Sequence, residues 1–432
     1  MHEVTTFIKK ERAVLVGVTL NGNTWETQDH LQELALLVDT AGAQVVDTVV
    51  QEKDRIEPAY FIGKGKAKML AQVAQEKEAD LVVFDDDLSQ AQLRNLENMT
   101  QTKILDRSGL ILDIFAHRAQ TKEAKTQVEL AQLNYLLPRL TRQWTHLSRQ
   151  VGGIGTRGPG ETQLETDRRL IRQRISSLTK TLEKIKNQRT VRRQGRVGSY
   201  KAALVGYTNA GKSTLLNALT QSDVFVEDRL FATLDPTIRR LSIANFKDLL
   251  LIDTVGFIRK LPHNLVASFM STLEEATVAD FLLHVVDVTH PHLAEHMSVV
   301  DQVLKELKID KKPRLFVFNK IDKLEQKALT RRLEENYQPC VFVSAMRGLF
   351  LQELKQQIRK LAVESIVEIE LGLPIDSAWL VAKLHEFTEV METDYTDGRA
   401  TIRIRTSQKG LARLHRLLEK ELPGEFNLAK VA

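Results

Sequence analysis

Apolar residues recur in short blocks between 13 and about 118: Val14-Leu15-Val16-Gly17-Val18, Val45-Val46-Asp47-Thr48-Val49-Val50 and Leu81-Val82-Val83-Phe84. Each is too short for a buried helix and rich in β-branched side chains, which predicts strands. Stretches with helical spacing at 28–39, 66–78 and 88–99 lie between them. Alternation of this kind predicts a small α/β domain on a largely parallel sheet. From about 121 to 195 the period changes. Leu130, Leu133, Leu137 and Leu140 are spaced 3, 4, 3, and Leu164, Ile171, Ile175, Leu178, Leu182 and Ile185 are spaced 7, 4, 3, 4, 3, so each set falls on one stripe of a long helix. Two helices packed antiparallel as a coiled-coil hairpin are expected, with Pro138 kinking or ending the first because it lacks an N–H donor. The connection, Val151 to Glu161, holds five glycines in the nine residues 152–160.

The helical pattern then gives way to apolar runs at Ala202–Val205, Leu249–Ile252, Leu282–Val286, Leu315–Phe318 and Val341–Val343. Such runs suit strands covered on both faces, hence a doubly wound α/β domain. The last stretch predicts strand, helix, strand, a turn at Asp397-Gly398, strand and helix: a small α+β module with no chemical constellation of its own. The expected class is therefore multidomain α/β, divided at 1–120, 121–197, 198–365 and 366–432, and a length of 432 residues is ample for several cores.

Charge sharpens this division. The chain nets +5, but Arg139 to Tyr200 holds 15 lysines and arginines against 4 acidic residues, so the remainder is net acidic. A segment so lopsided favours a polyanionic partner over a merely solvated helix face. The single cysteine, Cys340, rules out an intramolecular disulfide and multi-cysteine zinc sites, and its apolar neighbours predict a buried small hydrophobe. Lys9-Lys10-Glu11-Arg12 precedes any apolar run, the wrong order for a signal peptide, and no membrane segment is visible, so a cytoplasmic protein is expected. Two features of the first domain read as ordinary structure: Gly63-Lys64-Gly65-Lys66 as a turn lacking the rest of a nucleotide loop, and Asp85-Asp86-Asp87 as a solvated loop.

The chemistry concentrates in 198–365. Gly206-Tyr207-Thr208-Asn209-Ala210-Gly211-Lys212-Ser213 has Gly-x4-Gly-Lys-Ser spacing between a predicted strand and a predicted helix. Its glycines let backbone N–H groups curve around a β-phosphate, Lys212 neutralises β- and γ-oxygens, and the Ser213 hydroxyl suits Mg²⁺. Asn319-Lys320-Ile321-Asp322 follows a strand, and a carboxylate there can accept two hydrogen bonds from guanine that adenine cannot offer. Ser344-Ala345-Met346 is placed to give the Ala345 N–H to the guanine oxygen. Asp253-Thr254-Val255-Gly256 has the Asp-x-x-Gly form that holds a Mg²⁺-bound water and meets the γ-phosphate. Between these lies Phe231-Ala232-Thr233-Leu234-Asp235-Pro236-Thr237, where a threonine is needed as second Mg²⁺ ligand; Thr233 is the first candidate and Thr237 the second. The position after Gly256 is Phe257, where many GTPases carry a glutamine that orients water, so no catalytic side chain is assigned and slow intrinsic hydrolysis is expected.

These segments, together with Gly158-Pro159-Gly160-Glu161-Thr162 and Ser271-Thr272-Leu273-Glu274-Glu275, resemble the HflX family of the Obg–HflX superfamily over nearly the whole chain. The resemblance implies a cytoplasmic GTPase that binds GTP and GDP through the segments 206–213, 231–235, 253–256, 319–322 and 344–346, with Ser213 and Thr233 as Mg²⁺ ligands; a monomer is expected, though no pattern in the sequence bears on oligomeric state. It implies a large ribosomal subunit as partner, rRNA contacts at Arg157, Gly158, Pro159 and Gly160, and splitting of stalled or idle ribosomes under stress. Asn209 resembles the asparagine that coordinates K⁺ in some related GTPases. Two other readings stand beside this one: an ATP-dependent RNA-remodelling enzyme with a second nucleotide in the first domain, and an assembly factor in which GTP acts as a binding switch.

Overall fold

The computed structural model describes residues 10–20, 24–140, 163–194, 200–220, 230–243, 246–260, 275–324, 327–364, 366–377, 379–384, 388–396, 399–424 and 426–430. The chain divides into two compact units, one formed by residues up to 182 with 227–235 and 259–270, the other by the remainder.

In the first unit, β1 (Arg12–Leu20), β2 (Gln44–Lys53), β3 (Leu81–Phe84) and β4 (Lys103–Asp106) form a sheet in the order β2-β1-β3-β4. All three pairings are parallel. The connecting helices are α1 (Thr24–Thr40), α2 (Lys64–Glu76) and α3 (Gln90–Thr100). Val14, Val16, Val82 and Phe84 project from the strands onto Ile62, Leu70 and Leu96, and each such buried side chain contributes roughly 1.5–3 kcal/mol. Strand β4 has only two apolar residues, which explains why its pattern is faint. Of the expected turn Gly63-Lys64-Gly65-Lys66, only Gly63 lies outside a helix: it is the N-cap of α2, its N–H donates to Gln51 Oε1 at 2.8 Å, and Lys64, Gly65 and Lys66 are already helical.

Two expectations fail here. Asp85-Asp86-Asp87 is a loop but only partly solvated: Asp87 is exposed and Asp86 half-buried, whereas Asp85 is only 3% exposed, and Arg107 Nη1 donates to its Oδ1 at 2.6 Å while Lys260 Nζ donates to its Oδ2 at 2.5 Å. Asp86 also accepts from Lys260, and Asp87 from the Ser108 hydroxyl. Buried carboxylates need such partners, and these come from residues too distant in sequence to be anticipated. The second failure is the stripe on α5 (Lys122–Leu136), which follows α4 (Arg107–Arg118). The helix buries Ala124, Gln127, Val128 and Ala131, while Leu130 and Leu133 are only partly covered, because the small face lets the helix approach its neighbours closely. Pro138 acts as expected, since α5 stops at Leu136 and a single 3₁₀ turn spans Leu137–Leu140. Along α6 (Gln163–Gln194), Ile171, Ile175, Leu178, Leu182 and Ile185 lie on the less exposed side. Arg174 makes a bidentate pair with Glu129 of α5, Nε to Oε1 at 2.7 Å and Nη2 to Oε2 at 3.0 Å. The glycine-rich segment with Arg157, Gly158, Pro159 and Gly160 lies outside the described residues, as do 271–274 and the turn at Asp397-Gly398.

The second unit holds two sheets. The larger comprises β5 (Tyr200–Val205), β6 (Thr237–Ile243), β7 (Phe246–Asp253), β8 (Phe281–Asp287), β9 (Arg314–Asn319) and β10 (Cys340–Phe342) in the order β10-β9-β8-β5-β7-β6. It is parallel except for β6, which pairs antiparallel with β7. Helices α7 (Lys212–Thr220), α8 (Leu293–Glu306), α9 (Lys327–Asn336) and α10 (Leu351–Glu364) accompany it. Ala202, Leu204, Leu251, Leu283, Val285 and Val317 form the spine of one core with Leu216 of α7 and Ile358 of α10. Cys340 is half-buried at the start of β10 rather than fully enclosed, because β10 is an edge strand; burial raises its thiol pKa, helped by nearby Glu334 and Glu353.

The smaller sheet contains β11 (Ile366–Pro374), β12 (Glu389–Thr396), β13 (Arg399–Ser407) and β14 (Asn427–Lys430), with α11 (Trp379–Leu384) and α12 (Gln408–Glu421). Its order, β12-β13-β11-β14, with connection βαββαβ, adds a closing strand to the five elements predicted. Its core is Ile369, Leu371, Leu373, Ile402, Ile404, Leu414 and Leu418.

Candidate functional site

In an open parallel sheet, ligands bind at the carboxyl ends of the strands, where chain direction brings loops together. β5, β7, β8 and β9 all end at one such edge. After β5 the chain turns through Gly206, whose α-carbon lies so close to β8 that a Cβ would sit 2.2 Å from the Val285 carbonyl oxygen. Gly211 adopts φ 90°, and a Cβ there would collide with Asn319 Nδ2 at 2.3 Å. Both positions require glycine, for close approach in one case and for left-handed backbone in the other.

Lys212, the first residue of α7, is 6% exposed and donates from Nζ to the carbonyls of Gly206 (3.1 Å) and Tyr207 (2.8 Å). Burial lowers its pKa to about 8, partly offset by the carboxylate of Asp253. Ser213 donates its hydroxyl to Asp253 Oδ2 at 2.6 Å, and Asp253 is wholly buried at the end of β7. Thr254 turns inward, with Oγ1 donating to Leu204 O at 2.6 Å. The segment that follows docks on the phosphate loop by main chain: the Phe257 N–H donates to Gly206 O at 3.1 Å and the Thr208 N–H to Phe257 O at 2.7 Å. This brings Gly256 so near that a Cβ would lie 2.7 Å from Thr208 Cα and 2.9 Å from Lys212 Nζ. Phe257 itself is buried. On the other flank Tyr207 stacks flat on His296 of α8, with centroids 3.7 Å apart at 4°.

The loop after β9 closes the site. Asn319 is almost fully buried; its Nδ2 donates to Ala210 O at 2.9 Å and its Oδ1 accepts from the Ala345 N–H at 2.9 Å, so one amide ties three loops together. Ser344 donates its hydroxyl to Asp322 Oδ1 at 2.6 Å, fixing the plane of that carboxylate. Met346 is 79% exposed beside it. Ile321 is held by its N–H to Val343 O at 3.3 Å.

Thus 206–213, 253–257, 319–322 and 344–346 converge within the second unit. The segment 231–235 belongs to the first unit, where it is anchored twice. Phe231, buried at φ 54°, meets the Phe115 ring edge-on at 4.7 Å, and Asp235 accepts from the N–H groups of Gln120 and Thr121 and from Thr121 Oγ1. Ala232, Thr233 and Leu234 lie between these anchors. Neither the Tyr207–His296 stack nor the Phe257 main-chain dock leaves a signal in the residue pattern. A third contact, Asp287 with Lys320, could have been suspected from a carboxylate ending the run Leu282 to Val286.

A glycine-shaped cradle beginning a helix and a carboxylate fixed at a neighbouring strand end are the arrangement of a P-loop GTPase. Comparison with known proteins agrees and narrows the assignment. Residues 28–116 match the family described as GTP-binding GTPase N-terminal, 118–196 its Middle Region, and 201–320 the family described as 50S ribosome-binding GTPase. GTPase HflX of Caldanaerobacter subterraneus subsp. tengcongensis is 46% identical over 90% of this chain and 89% of its own length, and GTPase HflX of Escherichia coli is 44% identical over 91% and 93%. A crystal structure of a GTP-binding protein from the archaeon Sulfolobus solfataricus in complex with GDP is 27% identical, with a TM-score of 0.45 over 82% of this chain and 99% of that one. The chain belongs to the HflX family of GTPases and is a GTP hydrolase.

Proposed function

We propose that the chain is a GTP-driven factor that binds the large ribosomal subunit and separates stalled or idle ribosomes. The observation that carries this reading is the charge on α6, where Arg168, Arg169 and Arg172 line one cleft with Glu165, Gln173 and Ser176 inside the strongly basic segment. Arginines grouped in this way suit the phosphates of a folded RNA. The family matched by 201–320 is named for ribosome binding, which supports the same partner. In this reading α5 and α6 form a hairpin whose tip, Arg157 to Gly160, reaches rRNA, and the chain acts in the cytoplasm; no helix among the described residues is long and apolar enough to cross a membrane.

The nucleotide is held by the chain's own groups. Lys212 exchanges the carbonyls of Gly206 and Tyr207 for β- and γ-phosphate oxygens, and the N–H groups of the loop surround the β-phosphate. Asp322 accepts from guanine while Ser344 fixes its plane, and the Ala345 N–H faces the base oxygen. The Ser213 hydroxyl, 2.6 Å from the buried Asp253 carboxylate, is a hard oxygen donor that would suit Mg²⁺, with Thr233 as the further ligand and Asp253 placed to hold a water bound to the ion. When bound, that ion supplies positive charge to the phosphate oxygens. Phe257 is apolar and its main chain is engaged with Gly206 and Thr208, so this position supplies no side chain that orients water. Hydrolysis is therefore slow until a partner orders the segments around Thr233 and Gly256. After hydrolysis those segments lose the γ-phosphate, and affinity for the ribosome falls. Asn209 is exposed in the left-handed region at φ 58°, where its amide can coordinate K⁺; identical turnover in NaCl and KCl removes that role.

Co-sedimentation with large subunits under GDP and a non-hydrolysable GTP analogue, at two salt concentrations, tests the reading. Binding is expected with the analogue, weaker at high salt and weaker with GDP. A chain lacking 152–160 should keep GDP binding and lose subunit separation; if it still separates ribosomes, the tip has no part in the process.

A further inference from the structure

At the corner between β9 and the guanine loop stands Lys320, with φ 69° and ψ 31°. Residues other than glycine keep this left-handed conformation where their surroundings hold it. Here the hold is visible. Lys320 Nζ lies 2.8 Å from Asp287 Oδ2, and Asp287 ends β8 in register with Asn319. The other oxygen of Asp287, Oδ1, accepts from the Thr289 N–H at 3.0 Å and from Thr289 Oγ1 at 2.7 Å, so the carboxylate cannot rotate away. The Val288 N–H donates to Asn319 O at 3.1 Å, locking the same corner from the main chain. Burial alone would raise the Asp287 pKa, but the hydrogen bonds from Lys320 and Thr289 outweigh it and hold the carboxyl below its ordinary range, hence charged.

What the corner controls is the aim of its neighbours. On one side Asn319 bridges Ala210 O and the Ala345 N–H; on the other Asp322 meets Ser344. A change of backbone direction at Lys320 would swing both away from their partners. We infer that Asp287 is a positioning residue for guanine recognition: by anchoring the Lys320 ammonium it sets the turn that points Asn319 at the phosphate loop and Asp322 at the base. Asp287 lies in neither sequence motif and acts through Lys320. A partly exposed ion pair adds little to fold stability, so its contribution is orientation. The inference rests on guanine binding by 319–322 and is independent of the ribosomal partner.

The test measures GDP dissociation constants on the full chain with a fluorescent GDP analogue, alongside the thermal midpoint of the nucleotide-free protein. GDP capture by the unaltered chain checks the guanine reading itself; the variants check the inference. Asp287→Asn should weaken GDP about tenfold, the scale of losing one charge-assisted hydrogen bond, with little change in the thermal midpoint. Asp287→Glu should recover most of that loss. Because Asp287 acts through Lys320, the double variant Asp287→Asn/Lys320→Met should bind no more weakly than Lys320→Met alone. Unchanged affinity in Asp287→Asn, losses that multiply in the double variant, or a loss matched by a collapsed thermal midpoint would each overturn the assignment.

Discussion

Arg107 in the first unit and Lys212 in the second are both buried cations, and the two are treated in opposite ways. Arg107, 2% exposed, is surrounded by carboxylates: Nη1 donates to Asp85 and Nη2 to Glu33, while Arg259 pairs with Asp29 and Glu33, and Lys260 with Asp85 and Asp86. Three cations thus meet four carboxylates inside one unit. Lys212, also buried, is given carbonyl oxygens and stands near only one carboxylate, Asp253, which itself holds Ser213. Its pKa is pushed down, whereas that of Lys260 is raised, since Asp85 and Asp86 outweigh the burial that would lower it. A cation compensated from within serves the fold. One left short of negative charge is prepared for an anion that arrives from outside, and a triphosphate supplies it.

The comparison breaks most sharply at Asp85. Asp85→Asn leaves Arg107 and Lys260 sharing fewer charges in a buried setting, and removing one member of such a set costs about 3–5 kcal/mol. Denaturant unfolding should register that loss, with GDP affinity little altered. Lys212→Met is expected to do the reverse. It should weaken GTP by roughly 2–5 kcal/mol, because the phosphates lose a buried charged partner. The nucleotide-free protein should meanwhile unfold at the same or a higher denaturant concentration, since a poorly compensated buried charge has been removed. A destabilised Lys212→Met would show that the ammonium serves the fold after all. Asp322→Asn should have the smallest effect of the three, costing about 1–3 kcal/mol of GDP affinity without any gain for ADP. A gain for ADP would mean that the base is selected elsewhere.

The same contrast explains what could be read from the chain. Phosphate loop, Asp253–Gly256 and Asn319–Asp322 are local: each is a few residues following an apolar run, so spacing alone located them, and in the second unit they meet at one sheet edge. The βαβ rhythm of both large sheets was legible for the same reason. Illegible were contacts whose partners lie far apart in sequence. Lys260 stands 174 and 175 residues from Asp86 and Asp85, and Asp235 caps the segment at Thr121 from 114 residues away. Nothing in the run Asp85-Asp86-Asp87 announces a buried ion cluster, because a carboxylate run looks the same whether water or arginine surrounds it. Strands β4 and β14 were missed because, unlike the equally short but wholly apolar β3, each has only two apolar residues, too few to stand out as a run. The small face of α5 escaped because alanines pack closely yet weigh little against leucines in a pattern.

A third buried base carries the comparison into pH. His284 on β8 is almost fully enclosed beside Phe316, and burial lowers its pKa to about 3, with Arg314 and Lys212 adding to the effect. Unlike Arg107, and unlike Lys212 with its single Asp253, it has no carboxylate that raises its pKa. In the unfolded chain it titrates near 6.5, so the unfolded state takes up a proton first as pH falls. The stabilisation from keeping it neutral is complete above about 6.5 and is lost at about 1.4 kcal/mol per pH unit below that, until the folded form is itself protonated near 3. Acidification should therefore destabilise the second unit more steeply than its carboxylates alone would cause. His284→Phe, which keeps the ring and removes the proton site, should flatten the fall in unfolding free energy between pH 6 and pH 4. If the slope is unchanged in that variant, the acid response comes from other groups, and the buried imidazole contributes nothing to it.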